Sequence, residues 1–234
     1  MNRERKILAI ITARGGSKSL PDKNIKKLKG KPLIYYTIKA ALKSKLINKS
    51  ILSTDSKKII KISKKFGIEV PFIRPKKLAS DTSHHPEVIE HAVRYLEKKT
   101  KEFFDIIVML QPTSPFRKNF HIDQAIKKFL KEKNKSLISV KKQDYPPWWM
   151  FKISQSKLKT NFNWMNKNVF NMERQEFPSL YRPNGAIYVT TRKNLKNSKS
   201  IVNLKSCGFY LMNPKDSIDI DTEIDLKIAE NTKI

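Results

Sequence analysis

Short apolar runs alternate with amphipathic stretches along roughly the first 140 residues, and this alternation limits the fold more than any other feature of the chain. Residues 6–12 (KILAIIT) read as a buried strand, a short apolar run bounded by charge and glycine. Residues 33–43 then place Ile34, Ile38, Ala41 and Leu42 at helical spacing, with Pro32 suited to a first helical turn. The rhythm continues with strand 50–53, helix 57–66 closed by Gly67, strand 68–73 and helix 86–99. Strand 105–110 (DIIVML) is the most apolar run of the chain, and helix 122–131 and strand 136–140 follow it. Strand and helix in turn at this spacing predict an α/β fold, a doubly wound and mostly parallel sheet with helices on both faces.

The rhythm breaks after Lys141. Residues 143–183 carry aromatics and prolines (Tyr145, Pro146, Pro147, Trp148, Trp149, Phe151) and an asparagine-rich middle without a helical period. We expect one domain over 1–234 with an inserted arm or lid at about 142–183. The arm's aromatics either form a partner surface or pack onto their own domain. Strand 185–190 resumes the core pattern, and a strand near 208–212 and a helix from about 222 to 230 close it.

Ligands of doubly wound sheets bind beyond the carboxyl ends of the strands. The loops 13–24, 53–56 and 111–117 and the loop before the last helix therefore share one rim. The first of them, ARGGSKSLPDKN, gathers Arg14, Lys18 and Lys23 around Gly15 and Gly16. Its spacing is neither G-x-G-x-x-G nor G-x-x-x-x-G-K-[ST]. Three cations and a glycine pair nevertheless suit a di- or triphosphate.

A second constellation is Asp219-Ile220-Asp221, whose alternation turns both carboxylates the same way in an extended chain. Paired hard oxygens suit Mg²⁺ bridged to phosphate; alternatively, Asp221 caps the helix at Thr222. A phosphate clamp and a metal on one rim together point to phosphoryl or nucleotidyl transfer. Gln111, Thr113 and Ser114 offer an amide and two hydroxyls for a sugar or base. Arg174 and Arg182 are forks for a carboxylate, or surface arginines of a basic protein. His84 and His85 are adjacent and lack the companions of a zinc site.

The formal charge of +28 pulls first towards nucleic acid. The lysines are spread over nearly every helix face and loop instead of clustering, so nucleic acid is not the expected partner. An anionic substrate would be steered inward all the same. The single cysteine, Cys207, excludes an intrachain disulfide, and no apolar run approaches the ~20 residues of a membrane span. The basic N-terminus lacks a cleavage site, so a cytoplasmic protein is expected.

With these residues in place, the chain resembles the acylneuraminate cytidylyltransferases, the CMP-sialic acid synthetase family. The likeness rests on ARGGSK with KN following, GKPLIYYTIKAAL, STD, FIRPKKLASDT, LQPTSPFR, RPNGAIYV and DSIDIDTEIDLKIAE, in order from end to end. It implies a Rossmann-like domain of the nucleotide-diphospho-sugar transferase type. The implied reaction joins CTP to a nine-carbon α-keto acid sugar, giving CMP-sugar and pyrophosphate.

By the same resemblance, Arg14, Ser17, Lys18 and Lys23, with Gly15 and Gly16, hold the triphosphate. Asn24, Arg74 and Asp81 serve the nucleotide, and Asp219 and Asp221 hold Mg²⁺. Gln111 and Asn184 touch the sugar, and Arg174 and Arg182 meet its carboxylate side. Arg14, Lys23, Asp219 and Asp221 are the implied catalytic set. The family also implies a homodimer through the 142–183 arm.

Three departures stand out. Ser19 replaces a glycine of many relatives, His85 a serine of the sialic acid enzymes, and Trp149 a lysine used near the sugar carboxylate. The PPWWMF segment resembles relatives that activate other nonulosonates, such as legionaminic or pseudaminic acid. The alternatives are a CMP-Kdo-type synthetase and, more distantly, a non-catalytic polyanion-binding protein on the same fold.

Overall fold

The structure is a computed structural model, and it describes residues 5–154, 157–160 and 171–233. The asparagine-rich middle of the arm, 161–170, lies outside the described residues. In chain order the elements are β1 (Ile7–Thr12), β2 (Lys27–Leu28), β3 (Lys31–Pro32), α1 (Leu33–Leu42), β4 (Lys49–Ser53) and α2 (Lys57–Lys64). Next come α3 (His85–Thr100), β5 (Ile106–Leu110), α4 (Asn119–Glu132), β6 (Ser136–Lys142), β7 (Phe151–Ser154) and β8 (Lys157–Thr160). The chain closes with β9 (Tyr181–Thr191), α5 (Arg192–Ser198), β10 (Cys207–Leu211) and α6 (Glu223–Asn231).

Six strands form one mixed sheet in the order β10-β6-β9-β5-β1-β4. β1 pairs parallel with β4 and β5, β10 pairs parallel with β6, and β9 runs antiparallel to β5. Side-chain alternation buries both faces of the central strands. Ile7, Ala9 and Ile11 of β1 join Ile106, Val108 and Leu110 of β5 beneath α1 and α4. Leu8 and Ile10 join Ile107 and Met109 beneath α3 and α5. Leu8, Ile10 and Ile11 are 0% exposed, each burial contributing about 1.5–3 kcal/mol. Strands buried on both sides read as unbroken apolar runs, which is why these two stood out in the sequence.

Residues 68–73 do not form the expected strand: only Glu69 bridges, to Ile51. Pro71 has no N–H to give to a ladder, and the chain instead turns towards the rim, where Arg74 N–H donates to Thr54 O at 2.8 Å. The expected strand at 185–190 begins at Tyr181. The short helix α5 was not expected, because Leu195 is its sole apolar residue and no period can be seen.

By contact the chain divides into two compact units, 1–140 with 183–234, and 141–182. Within the second, β7 and β8 pair antiparallel, and Trp148 stacks on Phe177 with centroids 5.4 Å apart. Trp149 meets the same ring edge-on at 5.3 Å.

Candidate active site

The chain leaves β1 for β4 on one side and returns to β5 on the other, so the topological switch point lies between β1 and β5. A cleft of about 370 Å³ opens there. Thr12 and Arg14 line it from the end of β1, Gln111 and Thr113 from the end of β5. Lys23, Asn24, Arg74, Asp81, His85, Asp219 and Asp221 complete its functional lining.

The cations of the first loop are already held by carboxylates. Arg14 Nη1 and Lys18 Nζ each lie 2.6 Å from an oxygen of Asp81, and Lys23 Nζ lies 2.6 Å from Asp221 Oδ1. The hydrogen bonds from Lys18 and Arg14 keep the Asp81 carboxyl below the usual carboxylate range. Asn24 is 7% exposed and donates to the carbonyl of Arg14 at 2.9 Å, bracing the loop from beneath.

The two glycines differ in what they do. Gly15 N–H donates to Asp55 Oδ1 at 2.9 Å, and a Cβ on Gly15 would lie 2.9 Å from Ser56 Cβ. A Cβ on Gly16 would meet nothing within 4 Å. Gly15 thus docks the loop onto the 53–56 turn, and its N–H is committed there instead of to an anion. Ser17 lies on the same loop.

Arg74 is 5% exposed, with Nε donating to Ser53 Oγ at 3.0 Å and Nη2 to Ser53 O. Burial, partly offset by Asp55 and reinforced by Arg14, lowers its pKa to about 10, so it stays charged at neutral pH. His85, at the start of α3, meets Gln111: the two Nε2 atoms are 3.1 Å apart, and the Gln111 amide donates when the imidazole nitrogen is bare. Desolvation by the cleft walls, then the charges of Arg74 and Arg14, push the His85 pKa down and favour that neutral form.

Asp219 and Asp221 both face the cleft, and Asp221 does not cap α6. That cap is Thr222, which accepts from Asp225 N–H at 3.2 Å. Ser19 Oγ donates to Asp221 O at 2.8 Å, so the serine that departs from the family pattern ties two rim loops together.

Asn184 is placed differently. It is 2% exposed, and its side chain bonds Ser139 Oγ at 2.6 Å and Ser217 Oγ at 2.9 Å, inside the core. Arg174 and Arg182 belong to the second unit, where Arg174 Nη2 lies 3.4 Å from Asp144 Oδ1. Ser80, Ser83 and Val88 also line the cleft and were not singled out from sequence. The seat of Ser80 and Ser83 one and two residues from Asp81 and His85 was the available signal.

The signature of a family described as Cytidylyltransferase spans residues 8–231. A CMP-N,N'-diacetyllegionaminic acid synthase of Legionella pneumophila is 39% identical over 96% of this chain and 95% of its own. A pseudaminic acid cytidylyltransferase of Campylobacter jejuni is 32% identical over 96% of this chain and 95% of its own. An N-acylneuraminate cytidylyltransferase of Escherichia coli is 34% identical over 96% of this chain and 51% of its own. Among solved structures, a CMP-2-keto-3-deoxy-manno-octonic acid synthetase complexed with CTP shares the fold, with a TM-score of 0.68 at 16% identity over 96% of this chain and 97% of its own. The match along nearly the whole chain, over a sheet whose switch point carries the cleft, makes this protein a member of the cytidylyltransferase family.

Proposed function

We propose that the protein transfers the cytidylyl group of CTP to a nine-carbon α-keto acid sugar, a nonulosonic acid, releasing pyrophosphate. The observation that carries this reading is the meeting of Arg14, Lys23, Asp219 and Asp221 in one cleft with Gln111. Cations for a triphosphate and carboxylates for a metal are the two halves of a nucleotidyl-transfer site.

In the proposed reaction the anomeric hydroxyl of the sugar attacks the α-phosphorus in line. The bond from that phosphorus to the pyrophosphate oxygen breaks, and the hydroxyl proton leaves to solvent. Arg14, Lys18 and Lys23 hold the triphosphate and stabilise charge gathering on the leaving pyrophosphate. Arg74 and Asn24 serve the cytidine, and Gln111 orients the sugar. Arg174 and Arg182 meet the sugar carboxylate, and homodimer assembly uses the 141–182 unit. The proposed location is the cytoplasm; no described helix is long and apolar enough to cross a membrane.

Asp219 and Asp221 fit Mg²⁺. They line one cleft with hard oxygens, and among the described residues no group of three or more His, Cys, Asp or Glu could hold a metal unaided. Two carboxylates completed by water and phosphate oxygens is how Mg²⁺ is commonly held. When bound, the ion would neutralise the α-phosphate and ease ionisation of the attacking hydroxyl.

The legionaminic acid relative at 39% identity favours a nonulosonate of that kind as the acceptor. Pyrophosphate release, measured with each nucleoside triphosphate against legionaminic, pseudaminic, sialic and Kdo acids, tests the reading. CTP with a nine-carbon acid should be the productive combination; release with Kdo alone would move the protein to the CMP-Kdo branch.

A further inference from the structure

Arg117 ends the turn that begins at Gln111, and it is 1% exposed. Desolvation by burial is what shifts its pKa, and among the described residues it forms no ion pair with a carboxylate. That desolvation lowers its pKa to about 9, so the group remains a cation at neutral pH. Among the described residues its guanidinium bonds neutral oxygens only. Nη1 donates to Gln111 O at 3.1 Å and to Ala186 O at 3.0 Å, and Nη2 donates to Thr37 Oγ1 at 2.6 Å. The Thr37 hydroxyl donates in turn to Gln111 O at 3.3 Å.

Burying a cation without a counter-ion opposes folding, and well-packed apolar side chains commonly serve stability as well or better. What this arrangement supplies is position. The guanidinium ties α1, the end of β5 and β9 together at the level of the cleft. There, Gly185 has φ +75, and a Cβ on it would lie 3.0 Å from Gln111 Oε1 and 3.2 Å from Asp219 Oδ2. The Gln111 carboxamide and the Asp219 carboxylate therefore stand close around a residue without a side chain, where an added Cβ would force one of them to give way.

We propose that Arg117 is a positioning residue for the acceptor sugar, acting through the Gln111 backbone to fix where the Gln111 carboxamide stands in the cleft. The inference rests on the reading that Gln111 orients the sugar. It separates Arg117 from the nucleotide-binding cations, since its guanidinium faces neutral oxygens below the cleft and holds strand ends instead of phosphate.

The test is steady-state kinetics on the full chain, with CTP and nonulosonic acid varied separately. Arg117→Lys keeps the charge but not the fork. It should raise the KM for the sugar about tenfold while that for CTP changes less than about threefold. In a Gln111→Ala background the same substitution should add less than about twofold, because residues acting as one unit are non-additive. Should Arg117→Lys fail to fold, Thr37→Val, which removes one acceptor and leaves the arginine, should still raise the sugar KM about threefold. Equal effects on both KM values, full additivity with Gln111→Ala, or an unchanged sugar KM in the variants that fold would overturn the proposal. Wild-type protein without CTP-dependent turnover would instead sink the parent reading, and this one with it.

Discussion

Lys23 Nζ lies 2.6 Å from Asp221 Oδ1, so a cation assigned to phosphate and a carboxylate assigned to metal hold each other across the cleft. The lysine is the less exposed partner, its side chain 14% exposed against 62% for the aspartate. On the proposed reading, filling the site would replace this contact with two others, lysine to triphosphate and carboxylate to cation. Lys23→Ala should lower kcat/KM at least about 100-fold, as removal of a transition-state donor commonly does. Steady-state kinetics with varied CTP checks this; a change under about threefold would remove Lys23 from the phosphate seat.

Asp81 occupies Arg14 and Lys18 together, and on the proposed reading a triphosphate would compete with it. Asp81→Asn takes away the competing charge while keeping the shape. Calorimetric titration with inorganic pyrophosphate should find binding tightened by about three- to tenfold, the order of one screened surface ion pair or slightly more. Weakened binding would mean that Asp81 organises the two cations for phosphate instead of competing with it.

The adjacent glycines make a sharp internal comparison. Gly15→Ala forces the loop away from Ser56, where the added carbon would come within 2.9 Å of a Cβ, whereas Gly16→Ala enters open space. Gly15→Ala should raise the KM for CTP about tenfold or more and lower thermal stability by about 1–3 kcal/mol, the range of overpacking. Gly16→Ala should stay within about threefold of wild type in KM. Equal effects of the two would contradict the docking role of Gly15.

Stability should fall on acidification. His121 is 5% exposed and accepts Lys118 N–H at Nδ1, 3.1 Å away. Desolvation lowers its pKa despite Asp216, whose carboxylate opposes the shift, while Lys118 and Arg117 add to it. A folded-state pKa below the unfolded value means that the unfolded chain binds the proton more readily. Stability is then complete above the unfolded histidine pKa of about 6.5 and declines as the pH falls below it, by at most about 1.4 kcal/mol per pH unit for one group. Denaturant midpoints between pH 7.5 and 5.5 check this. His121→Asn should make the decline over that interval shallower, with His85 and His91, whose pKa values are lowered in the same direction, supplying the rest; an unchanged slope would remove His121 as a cause.

How far the sequence could be read follows from the range of the interactions involved. β1 and β5 were legible because strands buried on both faces are apolar throughout, and α3 because its apolar stripe repeats every turn. The rim loops followed from the order of the elements. Residues 68–73 looked equally strand-like, yet pairing depends on a partner and on N–H groups, which Pro71 lacks. Asn184 read as a sugar contact, but its environment is made by Ser139 and Ser217, both more than 30 residues away. The role of Gly15 was similarly out of reach, since its close neighbour Ser56 comes from another loop. Arg117 sits at the end of a motif visible in the sequence, while its burial and neutral partners exist only in three dimensions.

Whether the cations and carboxylates of one cleft form a nucleotidyl-transfer site can be read from pyrophosphate release from CTP and legionaminic acid with Mg²⁺, comparing wild type with Asp219→Ala and Asp221→Ala. Wild-type turnover should need all three components and fall by at least about 100-fold in each variant. Turnover left intact in both variants, or a folded wild type releasing no pyrophosphate with any nonulosonic acid, would contradict that assignment.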